Sequence, residues 1–333
     1  MRALRMSRCA LTAFVAAVLI AGCRGGSPGE AVPAAPASRL HSNFGHFARA
    51  GSWFRHDSVS SGDLVYMVQG DTVGIYSFAG KQVGELKGFD FAQLYALCSD
   101  MEGNVWVTYG QSLLEYARGG TIPIAQLYTV GTPFSCAVDP TTGDIAVADA
   151  TGEDQQIGTQ VDVYTNIYEP GQTYNDSDMN AYLYCTYDSQ GNLLVNGARN
   201  LESGSVLAEL PKGSSTLQTV KMDEKFERAG GLQWDGRYVA IGDSLKHVVY
   251  EMSVAGGLAT TVSTSHFHDW SGSHFKTIEP FAIGNGEIVL TFSERQTGFW
   301  KFPGGGNTLR RISVVTGAKT ISVAPSGLRR GGE

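Results

Sequence analysis

The densest group of side chains able to hold a metal is His266-Phe267-His268-Asp269, followed by His274. Two histidines at i and i+2 on an extended segment project to the same side, so both imidazoles can reach one ion. Asp269 and His274 add candidate ligands, and neutral imidazole with carboxylate suits Zn²⁺. The spacing matches no hydrolase motif. Phe267, Trp270 and Phe275 also fit a packed loop or outer strand that carries surface histidines. Both readings stay open on the sequence.

A second group lies in residues 149–180, where Asp149, Glu153, Asp154, Asp162, Glu169, Asp176 and Asp178 alternate with Tyr164, Tyr168 and Tyr174. Carboxylates bind Ca²⁺, which takes six to eight oxygens, and aromatic faces stack on sugars or peptides. Neither an EF-hand spacing nor Gly-Gly-x-Gly-x-Asp occurs, so the segment reads as a solvated insertion that extends the third of the chain's repeats. Long loops of this kind often carry function, which makes Tyr164, Tyr168, Tyr174, Asp176 and Asp178 candidate ligand-binding residues. No cofactor is required by these patterns; a divalent cation, Ca²⁺ or Zn²⁺, is the one they would accept.

Asp100, Asp139, Asp188 and Asp235 recur at similar intervals and invite a reading as a catalytic carboxylate ring. Repetition favours structure instead, because an Asp before a tight turn accepts hydrogen bonds from the turn's backbone N–H groups. No Gly-x-Ser-x-Gly elbow is present. Gly304-Gly305-Gly306 follows a strand pattern and Pro303 with no helix after it, so it is no phosphate loop.

The elements that position these groups repeat. Six turns share the form Gly, usually a polar residue, then an apolar run: Gly62-Asp63-Leu64, Gly103-Asn104-Val105, Gly143-Asp144-Ile145, Gly191-Asn192-Leu193, Gly236-Arg237-Tyr238 and Gly286-Glu287-Ile288. Their glycines lie 41, 40, 48, 45 and 50 residues apart. Before the internal turns run short strands such as Cys136-Ala137-Val138-Asp139, and after them apolar strands such as Val105-Trp106-Val107. A third strand often ends in an aromatic, as in Val161-Asp162-Val163-Tyr164. Four strands in about 40–50 residues is the spacing of a propeller blade. The 42 glycines and 17 % charged residues agree with many short strands and tight turns. The first turn lacks a preceding inner strand, whereas Ile321-Ser322-Val323-Ala324-Pro325 has the inner-strand pattern with nothing after it. The expected fold is therefore all-β, a six-bladed β-propeller closed by a C-terminal strand that completes the first blade.

The N-terminus is a targeting device. Arg2, Arg5 and Arg8 precede an apolar run over 9–22, too short for the about 20 residues a membrane span needs. It ends in Leu19-Ile20-Ala21-Gly22-Cys23, which resembles the bacterial lipobox and implies that Cys23 is lipidated. Residues 1–22 are thus read as signal peptide, 23–55 as lipidated Cys and flexible tether, 56–328 as propeller and 329–333 as a disordered tail. Such a tether spans roughly 30 Å. The expected location is the outer membrane or cell surface of a bacterium, with the domain facing periplasm or exterior; Arg24 after the Cys carries the resemblance to outer-membrane lipoproteins. Loss of the three arginines takes the formal charge from −7 to −10. With no basic stripe, nucleic acid is not an expected partner. Three cysteines remain besides Cys23. Cys98, Cys136 and Cys185 all fall on inner strands and read as small buried apolar groups; the odd number leaves at least one thiol free.

The turn pattern resembles the NHL and YVTN-type bacterial propellers. Cys136-Ala137-Val138-Asp139-Pro140-Thr141-Thr142-Gly143-Asp144, the Tyr-rich approach to Cys185, Gly231-Leu232-Gln233-Trp234-Asp235-Gly236 and Gly298-Phe299-Trp300-Lys301-Phe302-Pro303 are similar to a group of uncharacterised bacterial propeller lipoproteins. The resemblance implies fold and carries no activity. Six-bladed lactonases hold a divalent cation with Glu, Asn and Asp from different blades; Asn196, Asn200 and Asp243 are the groups that would correspond here, with no motif to align them. The expected function is a membrane-anchored binding or scaffold module for an envelope protein, peptide or glycan. The alternative is a metal-dependent lactonase, hydrolase or lyase with its site at the channel mouth.

Overall fold

Alternating apolar residues separated by glycine turns fold here into antiparallel meanders. The computed structural model describes residues 62–150, 160–200, 203–268, 278, 280–293, 296–313 and 318–324. The stretches expected to be signal peptide, lipidated Cys23 and tether lie outside them. The described residues are strands and turns, with one 3-10 turn at Phe91–Gln93 and no α-helix.

The chain begins with β1 (Leu64–Gln69), β2 (Thr72–Ser77) and β3 (Gln82–Leu86). Next come β4 (Leu94–Ser99), β5 (Val105–Tyr109), β6 (Ser112–Tyr116) and β7 (Pro123–Tyr128), paired in that order. A third meander runs through β8 (Thr132–Val138), β9 (Ile145–Ala150), β10 (Gln160–Tyr164) and β11 (Gln172–Tyr174). The fourth is β12 (Ala181–Tyr187), β13 (Leu193–Asn200), β14 (Ser203–Leu210) and β15 (Gln218–Met222). It is followed by β16 (Ala229–Trp234), β17 (Val239–Asp243), β18 (Val248–Ala255) and β19 (Leu258–His268). Then come β20 (Phe281–Gly284), β21 (Glu287–Ser293), β22 (Gln296–Lys301) and β23 (Gly305–Ser313). Short parallel pairings join the outer strands β15 with β19 and β19 with β23, so the meanders from β12 to β23 form one twelve-stranded sheet.

The last strand, β24 (Ala318–Ala324), returns to the start of the chain and pairs antiparallel with β1, Leu64 opposite Ala324 and Met67 opposite Ile321. The expected partnership between the two ends of the domain is present in this register. Each inner strand also packs beside the next: β4 by β8, β8 by β12, β12 by β16, β16 by β20, β20 by β24 and β24 by β4.

The core is a set of separate apolar layers between neighbouring meanders. Leu64 and Val73 meet Leu94 and Val107; Trp106 and Leu127 meet Val147 and Tyr164; Ala146 and Val161 meet Tyr182 and Val195. Leu194 and Leu207 meet Ile241 and Tyr250, Ala240 and Val249 meet Ile288 and Trp300, and Val65 and Tyr76 meet Val289 and Phe299. Each large apolar side chain buried this way contributes about 1.5–3 kcal/mol. Both faces of a meander are therefore needed by its neighbours.

Residues 160–174 extend the third meander, as the strand pattern Val161-Asp162-Val163-Tyr164 implies, and do so as paired strands with Val161, Asp162 and Tyr164 buried. They supply β10 and β11, the outer half of the third meander; of the segment expected to be an insertion, 151–159 lie outside the described residues.

Candidate binding site

The geometry of the inner strands follows from strand parity. Successive side chains point to opposite faces, and the turn residue at the strand's end gives a fixed origin. Two residues before it, the side chain reaches toward the following meander. Gln233 Nε2 donates to Ile283 O (2.9 Å) while Ile283 N–H donates to Gln233 Oε1 (2.7 Å), so a side-chain amide imitates a strand pairing between β16 and β20. At the same offset Thr186 Oγ1 accepts Trp234 N–H (3.0 Å), and Ser322 Oγ meets Ser99 Oγ (2.7 Å). Cys98 occupies this offset too, and it forms a disulfide with Cys136, the two Cα atoms 5.6 Å apart. Reading all three cysteines as small apolar groups therefore holds for Cys185 alone, which is a buried free thiol. Cys136 stands three residues before Asp139 and faces back toward β4; Cys185 has the same parity as Cys136, so it faces back toward β8, where Ala137 offers no sulfur.

At the turn end the repeated aspartates bond their own loops. Asp100 Oδ1 accepts Asn104 N–H (2.8 Å). Asp139 Oδ1 accepts Thr141 N–H (2.7 Å). Asp188 Oδ1 accepts the N–H groups of Gln190 and Asn192 (2.8 and 2.9 Å). Asp235 Oδ1 accepts those of Arg237 and Tyr238 (2.7 and 2.6 Å). Gly103, Gly143, Gly191, Gly236 and Gly286 take positive φ in these turns, which an L side chain adopts only with strain. The structural reading of the aspartates is the right one.

At the opposite end of the inner strands lies a cavity of about 280 Å³. It is lined by Tyr95, Ala96 and Leu97 of β4, Phe134, Ser135 and Cys136 of β8, Tyr184 and Cys185 of β12, Gly231 and Leu232 of β16, and Pro280 and Phe281 at β20. The room is made four residues before the turn residue, where Ala96, Ser135 and Gly231 are small and Tyr184 and Phe281 are large. A Cβ on Gly231 would lie 2.8 Å from Phe281 Cδ1, so the Phe281 ring rests on bare backbone. Phe134 and Tyr184 meet edge to face with centroids 6.4 Å apart.

None of the lining residues is Asp, Glu, Lys, Arg or His. Burial pushes the Cys185 thiol up to about 12, despite its contact with Ser135 Oγ at 3.6 Å, so it remains neutral. The wall offers aromatic faces, aliphatic surface and a few hydroxyls. It can hold an uncharged group without covalent chemistry.

The residues singled out on the sequence lie elsewhere. His266 and His268 are on the outer strand β19, His266 exposed and His268 half-buried, with Phe267 between them packed on Trp300. His268 O accepts the Trp300 indole N–H (2.9 Å) and the Thr308 hydroxyl (3.1 Å). Asp269 and His274 lie outside the described residues. Tyr164 is buried at 2 % exposure and Tyr168 is 80 % exposed, so these two do not share a surface. Tyr174 packs against the layer around Tyr182. Asp176 Oδ1 accepts Asp178 N–H (2.8 Å) and its Oδ2 accepts the Thr219 hydroxyl (2.9 Å), while Asp178 lies 3.7 Å from Arg199. Asn196 is buried and donates to Gly230 O (2.9 Å); Asp243 Oδ2 accepts Glu227 N–H (2.8 Å) and its Oδ1 those of Leu245 and Lys246 (both 3.1 Å).

The aromatic cavity was not foreseen. Its sequence signal is the irregular alternation of small and aromatic residues just ahead of each inner strand's repeated part, which is visible only once the copies are aligned on their turn residues.

Antiparallel meanders packed face to face around a bundle of inner strands define a β-propeller, and comparison with solved structures agrees. The chain is similar to a chain from the crystal structure of a nidogen/laminin complex (11 % identity, TM-score 0.63, covering 80 % of this chain and 99 % of that one). It is similar to the β-propeller domain of Cps50 (Swd1) from Myceliophteria thermophila (13 %, TM-score 0.51, covering 75 % and 83 %). A protein of unknown function from Bacteroides caccae also matches (12 %, TM-score 0.52, covering 79 % and 99 %). These likenesses are of fold. No family model matches the sequence, and no curated protein matches it.

Proposed function

We propose that this chain is an exported, lipid-anchored binding module: a six-bladed propeller, closed by its C-terminal strand, that takes an uncharged apolar side chain of a protein or peptide partner into the cavity at one mouth. The observation that carries the binding reading is the cavity itself, four aromatic rings around small residues with no charged group in the wall. Its volume of about 280 Å³ is below the usual range for small-molecule pockets, about 300–1,000 Å³, and suits one large side chain better than an extended ligand. Hot spots at protein interfaces have this character, an aromatic or aliphatic anchor seated in a desolvated pocket. Support for six blades and closure comes from the apolar layers, the last of which joins β1 and β2 to β21 and β22, and from the register of β24 on β1. The anchor rests on the charge, apolar run and Leu19-Ile20-Ala21-Gly22-Cys23 order of the N-terminus.

A photocrosslinking residue placed at Phe134 in cells tests the binding reading. A reproducible protein adduct, abolished when Ala96→Phe fills the cavity, is the expected result; adducts unchanged by Ala96→Phe would rule the cavity out. Cys23→Ser should move the protein from the membrane fraction to the soluble one, and an unchanged distribution would remove the anchor.

A further inference from the structure

Between the third meander and the β4–β7 meander lie two carboxyl groups that the binding site does not use. Asp149 lies near the end of β9, between β8 and β10, and Asp162 sits on β10; both are 0 % exposed. Asp149 pairs with Gln160 across the strands, so Asp162 is its diagonal neighbour on the same face. That face also carries Val147 and Tyr164 and packs on Trp106, Leu113 and Leu127. Two full negative charges here would be unpaired in an apolar layer, which is costly.

Their hydrogen bonding is unequal. Asp162 accepts Gln160 Nε2 at both oxygens (3.1 and 2.9 Å) and the Thr173 hydroxyl at Oδ1 (2.6 Å). No hydrogen bond of good geometry reaches either Asp149 oxygen or the Tyr164 hydroxyl; the backbone at Gly131 favours the Asp149 anion, but less than burial and the Asp162 carboxyl oppose it. Three well-formed hydrogen bonds to a carboxylate favour the anion; burial without such donors favours the acid. We infer that Asp149 and Asp162 hold one proton between them, placed on Asp149 because the Asp162 oxygens are taken up by donors, and that this pair makes the contact between the two meanders weaken as pH rises. The pair then carries one negative charge in place of two.

The groups facing Asp149 support this. On β10 they are Asp162 and Tyr164; the phenol is raised by burial first and then by both carboxylates, so it stays protonated. On β12 the nearby Cys185 thiol is neutral, raised by burial to about 12. The facing meander contributes Cys98 in its disulfide, Trp106 and leucines, none of which titrates. Burial, then the Asp162 carboxyl, pushes Asp149 from 3.8 to about 8. The folded protein thus keeps a proton that the unfolded chain has lost between those two values. Stability falls as pH rises through this window and stops falling above about 8, with the unfolding constant growing up to tenfold per pH unit. Asp162 satisfied by Gln160 and Thr173 leaves little ligand capacity for a metal, which favours the proton over a cation.

Thermal and urea melts of the folded domain from about pH 5 to about pH 9, on wild type and Asp149→Asn, test the pair. Asn keeps the shape of the protonated acid and can donate to Asp162, so the variant should lose this part of the pH dependence. Glu115, raised to about 7 at the other end of the strands, is common to both proteins and cancels in the comparison. Should the variant fail to fold, ¹³C NMR of aspartate carboxyl carbons in wild type reads the proton directly, with one carbon titrating near 8 expected. Identical pH profiles, or no aspartate carbon titrating above about pH 6, would overturn the inference. So would a stoichiometric divalent ion retained on dialysis by wild type and lost in the variant, since the proton's place would then belong to a metal.

Discussion

The two ends of the inner strands are built by different rules. At the turn end four copies do the same thing: Asp100, Asp139, Asp188 and Asp235 each accept hydrogen bonds from their own loops. Three third strands bring a glutamate near one of them. Burial and the neighbouring aspartate raise Glu115 to about 7 beside Asp100; the same causes raise Glu209 beside Asp188, and Glu251 beside Asp235, where it accepts from the Ser263 hydroxyl. At the cavity end no two copies agree, and Ala96, Ser135, Tyr184, Gly231 and Phe281 share one offset from the turn. A feature that each meander needs in order to fold is repeated. A feature shaped for one occupant is not, so residues at the turn end should govern stability and those at the cavity end should govern binding.

The largest test removes what both ends depend on. Deleting residues 319–333 takes away most of β24 and leaves β1 with an open edge; cooperative melting should be lost and calorimetry should record no single transition. Next is the Cys98→Ser, Cys136→Ser pair. The crosslink spans 38 residues, and losing a native disulfide costs about 2–5 kcal/mol, so the urea midpoint should fall clearly while a folded baseline survives. Smaller again is Asp188→Ala. It removes two backbone acceptor contacts and one to the Asn192 side chain (2.7 Å), and a cost of about 1.5–3 kcal/mol is expected with capture at Phe134 unaltered. Capture lost in step with stability in that variant would erase the distinction between the ends.

Much of the scaffold could be read in advance because its causes are local. A glycine at positive φ with a preceding Asp makes a turn wherever it occurs, and alternation of apolar residues names the strand beside it. The orphan strand near residue 321 was legible for the same reason, as an inner-strand pattern with no turn of its own. The disulfide was legible only in part: inner-strand placement was clear for all three cysteines, but pairing depends on parity across a gap between sheets. Cys98 and Cys136 differ by one in their distance from the turn Asp, and that single offset turns them toward each other. The cavity was hidden because its residues are ordinary core types. What makes them a site is where small ones stand beside large ones around a common axis, and no segment of the chain contains that information alone. His266 and His268 drew attention by composition, yet they lie on the outer strand farthest from β16 in their meander, while the residues of the cavity wall are chemically plain.

The finest test lies within the cavity. Phe134 is half-buried, and Phe134→Leu keeps an apolar side chain of similar reach while removing the ring that meets Tyr184. An edge-to-face pair adds about 0.5–1.5 kcal/mol beyond its buried area, so the change in stability should be at the lower end of that range, a small shift in melting temperature. Binding should respond far more. An inserted side chain loses an aromatic wall on one side, and anchors in such pockets commonly carry 2 kcal/mol or so each. Equilibrium binding of the captured partner by Phe134→Leu and Asp188→Ala, measured against their urea midpoints, then gives two points on opposite sides of a diagonal. Phe134→Leu should lie where affinity falls with stability nearly intact, and Asp188→Ala where stability falls with affinity intact. If both variants fell on one line, the cavity would be core that happens to be hollow, and the partner would have to be sought on the loops.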